Sequence, residues 1–200
     1  MLQCLYVAVG IGMDTQQDWK ASQNILFCGS SDSIPTDCQH SLQLGPVNFL
    51  GVNIDHKSSF RFETVLQQMT VPPQNIKFVC YDGIRNGTAT DTESSTTSLQ
   101  TPFETISDPA NLYSLGKSIF PTLTEWESTE YSTVLWFNSL TVLLEELPLE
   151  VVFRFILLVT SRVHQLDGIG IYSVNSAITD TKTLLTIKSL FDTVYGADIQ

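Results

Sequence analysis

Asp55 and His56 stand side by side where the apolar run Val47 to Ile54 (VNFLGVNI) ends. A carboxylate beside an imidazole can activate water, with one of the two taking the proton. Such a pair works only if something grips the substrate. For a phosphorylated substrate the grip is a glycine-rich loop whose backbone N–H groups approach the phosphates, with a lysine supplying fixed positive charge. The loop after the first apolar run, Gly29 to Asp37 (GSSDSIPTD), holds one glycine and no lysine. Gly29, Ser30 and Asp32 fill the gripping positions, and Asp32 and Asp37 would meet phosphate with like charge. A magnesium ion would need a carboxylate at the end of another apolar run. Thr133 to Phe137 (TVLWF) leads instead to Asn138 and Ser139, a neutral amide and a hydroxyl. Asp55 and His56 are the catalytic candidates that remain. The plainer reading makes them a solvated turn before the next helix.

Other chemistries find less support. No G-x-S-x-G elbow or G-x-G-x-x-G fingerprint occurs, and Gly10-Ile11-Gly12 and Gly168-Ile169-Gly170 are lone triplets. His40 and His164 fall in helical stretches with no acidic partner placed by the sequence. Cys4, Cys28, Cys38 and Cys80 are scattered, without a C-x-x-C pair, which favours buried thiols in a reducing cytoplasm over a metal site. Acidic residues outnumber basic ones by 21 to 10, for a net charge of −11. That surface repels nucleic acid and anionic bilayers, so neither is an expected partner.

The elements that would carry these residues alternate. Gln23 to Cys28, Val47 to Ile54, Ile76 to Tyr81, Thr133 to Phe137 and Gly168 to Val174 read as strands, with Thr193 to Tyr195 as a terminal one. Pro35 to Leu44, Ser58 to Met69, Leu140 to Leu147, Leu149 to Leu166 and Asp180 to Phe191 read as helices. Another helix opens at Asp108-Pro109 and runs towards Trp126, with Pro121 expected to kink or break it. The long helix Leu149 to Leu166 is apolar on more than one face, so it is packed between layers or covered by a partner. The strands are continuous apolar runs, the pattern of a parallel sheet covered on both faces. The expected fold is three-layer α/β with a mostly parallel central sheet.

Residues 23–200 form one domain in this reading. A flexible, polar insertion interrupts it at about residues 85–105. Residues 1–22 are an N-terminal extension or an edge strand: either Met1 to Gly12 lies upstream of a true start at Met13, or Leu2 to Val9 adds an edge strand. Met1 to Ile11 and Val151 to Thr160 are both too short to span a bilayer. The expected location is the cytoplasm.

The stretch Val134 to Val194 resembles a haloarchaeal family of uncharacterised, KaiC-like proteins of the RecA superfamily. Phe137, Ser139, Leu140, Thr141, Leu143 and Leu144 match a block FDSLTALL, with Asn138 in place of its aspartate. Leu149, Glu150, Phe153, Arg154, Phe155, Thr160 and Arg162 match L-E-x-x-F-R-F-L with T-x-R. Asp180, Thr183, Leu190, Phe191 and Asp192 match a third block. The resemblance implies a RecA/KaiC-like fold with degenerate Walker motifs, in which Asp55 keeps one catalytic carboxylate and His56 replaces the other. It implies a pseudo-ATPase without cofactor, acting as a regulatory or protein-interaction module in signalling. Its partner would be a protein, such as a KaiC-like ATPase or a signalling protein, and it could form oligomers. The alternative is a residual nucleotide binder, or a slow ATPase completed by a partner in trans.

Overall fold

The computed structural model describes residues 22–29, 46–55, 66–67, 69, 71–82 and 103–196. The strands among them are β1 (Gln23–Cys28), β2 (Val47–Asn53), β3 (Asn75–Tyr81), β4 (Phe103–Ile106), β5 (Ser132–Asn138), β6 (Ile169–Val174) and β7 (Thr193–Gly196). The helices are α1 (Leu112–Trp126), α2 (Leu140–Glu146), α3 (Leu149–Gln165) and α4 (Thr181–Lys188). One sheet holds the strands in the order β4-β3-β2-β5-β6-β1-β7, and every pairing is parallel. Parallel neighbours require crossovers, which is why apolar runs and helices alternate along the chain.

Both faces of the sheet are buried, and strand parity divides them. Leu26, Leu50, Val52, Leu135 and Phe137 point at the described helices, meeting Leu115, Ile119, Ile156 and Leu184. Phe27, Phe49, Phe78, Trp136 and Ile171 point the other way and pack with Leu66 and Met69. Leu66 and Gln67 are helical, so the sheet is the middle of three layers. The expected α/β class is the observed one.

Three expectations need correction. β4 overlaps the end of the insertion expected at about 85–105: it pairs with β3, Phe78 opposite Phe103 through Tyr81 opposite Ile106. An edge strand with a single buried residue, Ile106, has too little apolar pattern to be read from sequence. The helix expected at Asp108-Pro109 starts later. Asn111 is its cap, accepting the Ser114 N–H, while Asp108 holds the preceding turn through the Ala110 N–H. Nor does Pro121 break that helix, which continues to Trp126. Pro121 is exposed, so water can serve the Lys117 carbonyl that the ring leaves without a helical donor. The remainder of the insertion, residues 1–21, the expected helix 35–44 and most of the helix 58–69 lie outside the described residues.

α1 is tied to the sheet by charge as well as by apolar packing. Lys77 on β3 donates to Glu104 Oε2 on β4 at 2.8 Å and to Thr122 Oγ1 on α1 at 2.9 Å. Ser118 Oγ on α1 donates to Glu104 Oε1 at 2.6 Å. Desolvation pushes the Glu104 carboxyl up, but hydrogen bonds from Lys77 and Ser118 and the nearby lysine charges leave it below its ordinary value.

Candidate functional site

In open parallel sheets the strands' carboxyl ends form the ligand-facing edge. Asn53 ends β2, Asn138 ends β5 directly opposite it, and Ser173 lies at the next step of the β5–β6 register. Alternation puts all three on the Trp136 face of the sheet. They are bonded to one another: Asn138 Nδ2 donates to Asn53 Oδ1 at 3.1 Å, and Ser173 Oγ donates to Asn138 Oδ1 at 2.7 Å. Asn53 Oδ1 also accepts the Asp55 N–H at 3.3 Å, and the Asn138 carbonyl accepts the Ile54 N–H at 2.7 Å. Asn138 is 1% exposed and Asn53 3%. A neutral, mutually satisfied row of amides and a hydroxyl therefore occupies the carboxyl ends of β2, β5 and β6.

Ser139 caps α2, its Oγ accepting the Thr141 N–H at 3.1 Å, and is fully buried. Thr141 Oγ1 in turn accepts the Asn175 N–H beyond β6 at 2.8 Å. Position 139 thus serves the helix start and the strand-end packing. Asp55 is buried two residues beyond β2. Its expected partner His56 lies outside the described residues, as do Ser30 and Asp32. Gly29 extends the β1 ladder by donating its N–H to the Val174 carbonyl at 3.0 Å. A Cβ there would meet open space, so this backbone does not require glycine. Among the described residues, no group of three or more His, Cys, Asp or Glu could hold a metal ion. Ser173 escaped the sequence reading as a member of this site, whereas Asn53 stands at a strand tip already legible in the sequence. The usable signal was parity, since Val134, Trp136 and Asn138 share a face, as do Ile169, Ile171 and Ser173.

A model described as "Family of unknown function (DUF7504)" matches residues 54–195. The chain belongs to DUF7504. That match takes in Asp55, Asn138, Ser139 and Ser173 and leaves out β1 and Gly29. A solved structure from Pyrococcus horikoshii OT3 superposes with a TM-score of 0.48 at 12% identity, covering 88% of this chain and 82% of that one. No curated protein matches.

His40, Cys4, Cys38, Gly10 and Gly12 lie outside the described residues, and the other candidates in this DUF7504 chain have structural settings. His164 Nδ1 and Ser22 Oγ share a hydrogen bond of 3.0 Å between the end of α3 and the entry to β1. Cys28 and Cys80 are buried, and burial pushes the Cys28 thiol up. Gly168 and Gly170 are packing glycines. A Cβ at Gly168 would meet the Thr133 carbonyl at 2.8 Å, and one at Gly170 would meet Asn24 Oδ1 and, at 2.6 Å, Tyr172 Cε2. The fully buried Tyr172 hydroxyl donates to Asn24 Oδ1 at 3.3 Å, and Asn24 Nδ2 donates to the Thr160 carbonyl at 3.1 Å. No described helix is long and apolar enough to cross a membrane.

Proposed function

We propose that this DUF7504 protein is a RecA/KaiC-like module that does not hydrolyse nucleotide and acts as a regulatory or protein-interaction domain in the cytoplasm. The observation that carries the reading is the buried row Asn53–Asn138–Ser173. Phosphoryl transfer depends on positioning and on neutralising charge at the phosphates. A metal-anchoring carboxylate at the end of β5 would leave one oxygen ready for a hydrated cation. Asn138 instead presents an uncharged amide whose oxygen and nitrogen are both engaged within the sheet. The loop at Gly29 to Asp37, with no lysine and two aspartates, supports the same conclusion from sequence.

Titrating labelled ATP with magnesium, at low and at molar potassium, tests the reading. The expected result is no saturable binding in either salt. Saturable binding that Asp55→Asn weakens would favour a residual nucleotide site built on Asp55.

A further inference from the structure

α3 buries one side and leaves the other bare. Val151, Arg154 and Leu158 recur at three- and four-residue spacing and so share a stripe. All three are exposed, Val151 to 42% and Leu158 to 60%, and Leu157 beside them to 45%. α1 and α3 each lead into a strand of the same parallel sheet, β5 and β6, so they run in the same direction. Arg162 Nη2 joins them, donating to Glu127 Oε2 at 2.6 Å and to Thr124 Oγ1 at 3.3 Å. About two turns back along both helices, Arg154 comes level with Lys117, and about one turn further Val151 comes level with Tyr113. Tyr113 is 75% exposed, and Lys117 Nζ sits 5.6 Å from its ring centroid.

The charge pattern decides what such a face would accept. The chain has 21 acidic residues, yet 109–124 and 151–166 hold Lys117, Arg154 and Arg162 without one. Glu125, Glu127 and Glu150 stand at their margins, and Glu127 is taken up by Arg162, which leaves Lys117 and Arg154 as the cations of the face. We propose that the exposed α1–α3 face is a docking surface for an acidic amphipathic helix of a partner protein. Apolar side chains of that helix would cover Val151, Leu158 and Tyr113, with carboxylates beside Arg154 and Lys117. A second copy of this chain fits poorly, because a two-fold interface sets the same patch against itself and supplies no carboxylate from the patch for its cations. An anionic bilayer would face the acidic remainder of the molecule as well. A single helix meets only the field within about a Debye length, roughly 8 Å, of the patch. The assignment rests on the interaction-module reading and names its surface.

A displayed library of amphipathic helices of about 18 residues, five turns, with fixed apolar positions and random polar ones, is selected on the purified full chain. Binders should be enriched in Asp and Glu over Lys and Arg. A selected helix should lose about tenfold or more in affinity against Arg154→Glu and against Leu158→Lys, with melting temperatures unchanged. Ile178→Lys, at an exposed apolar position outside the patch, should leave binding intact. A selection yielding no binders, neutral or basic binders, or binders indifferent to both patch variants overturns the proposal. So does a sedimenting dimer that Leu158→Lys dissociates, or co-flotation with phosphatidylserine vesicles that Arg154→Glu abolishes. Magnesium-ATP turnover would overturn the non-catalytic reading without touching any of these outcomes, so the two failures are separable.

Discussion

Asn138 is the residue on which the chemical interpretation turns, and its surroundings predict the result of replacing it. Asn138→Asp keeps an acceptor for Ser173 but loses the donor to Asn53, setting a carboxylate against the Asn53 amide oxygen in a buried site. Burying a charge with one partner removed is unfavourable, so this substitution should lower stability by about 1–3 kcal/mol. It should also create no ATPase, because one restored carboxylate leaves the phosphate grip without lysine. Chemical denaturation and a phosphate-release assay on the same preparation check both expectations. Gly170 gives a second local test. Gly170→Ala must displace Asn24 or Tyr172, and overpacking there should cost about 1–3 kcal/mol. A neutral Gly170→Ala would mean that the β1–β6 contact yields more readily than its distances imply.

The long helix α3 shows where periodicity succeeds and where it misassigns. Apolar residues on several faces predicted an element packed between layers or covered by a partner. In the structure, Val152, Ile156, Val159 and Val163 are buried against the sheet, and Val151, Leu157 and Leu158 are exposed. Phe153 is only partly buried at the margin of the core, whereas Phe155 is buried. Ile156→Ala should therefore cost about 2–5 kcal/mol, and Phe153→Ala clearly less, as urea midpoints would show. The pairing of β3, β4 and α1 through Lys77 and Glu104 makes an acid-sensitive element. Because the folded Glu104 carboxyl titrates below its unfolded value, its contribution is present above the unfolded carboxyl range and is lost as pH falls through the folded value. Glu104 is 42% exposed, so the effect should stay within about 1 kcal/mol. Glu104→Gln should flatten that part of the stability–pH curve. An unchanged acid limb in this variant would assign the acid sensitivity to other carboxylates.

At the scale of the molecule, the segment from β5 to α4 was legible almost throughout, because each strand is a continuous apolar run and each helix has a start signal. Ser139 and Asp180 cap α2 and α4, and Pro148 precedes α3. β4 was not legible, since an edge strand buries too little to leave a pattern, and Lys77 gave no sign that it would bridge β3 to α1. The candidate site was half legible. Asn138 stood out as an amide at a strand end, but the closure of the row by Asn53 and Ser173 depends on which strands become neighbours, and that is a property of the strand order. The central claim is that this edge does not support phosphoryl transfer, and phosphate release from magnesium-ATP by the purified full chain, with Asp55→Asn alongside, tests it most directly. No turnover above background is expected at low or at molar potassium, whereas turnover that Asp55→Asn abolishes would contradict the account and make Asp55 a catalytic residue.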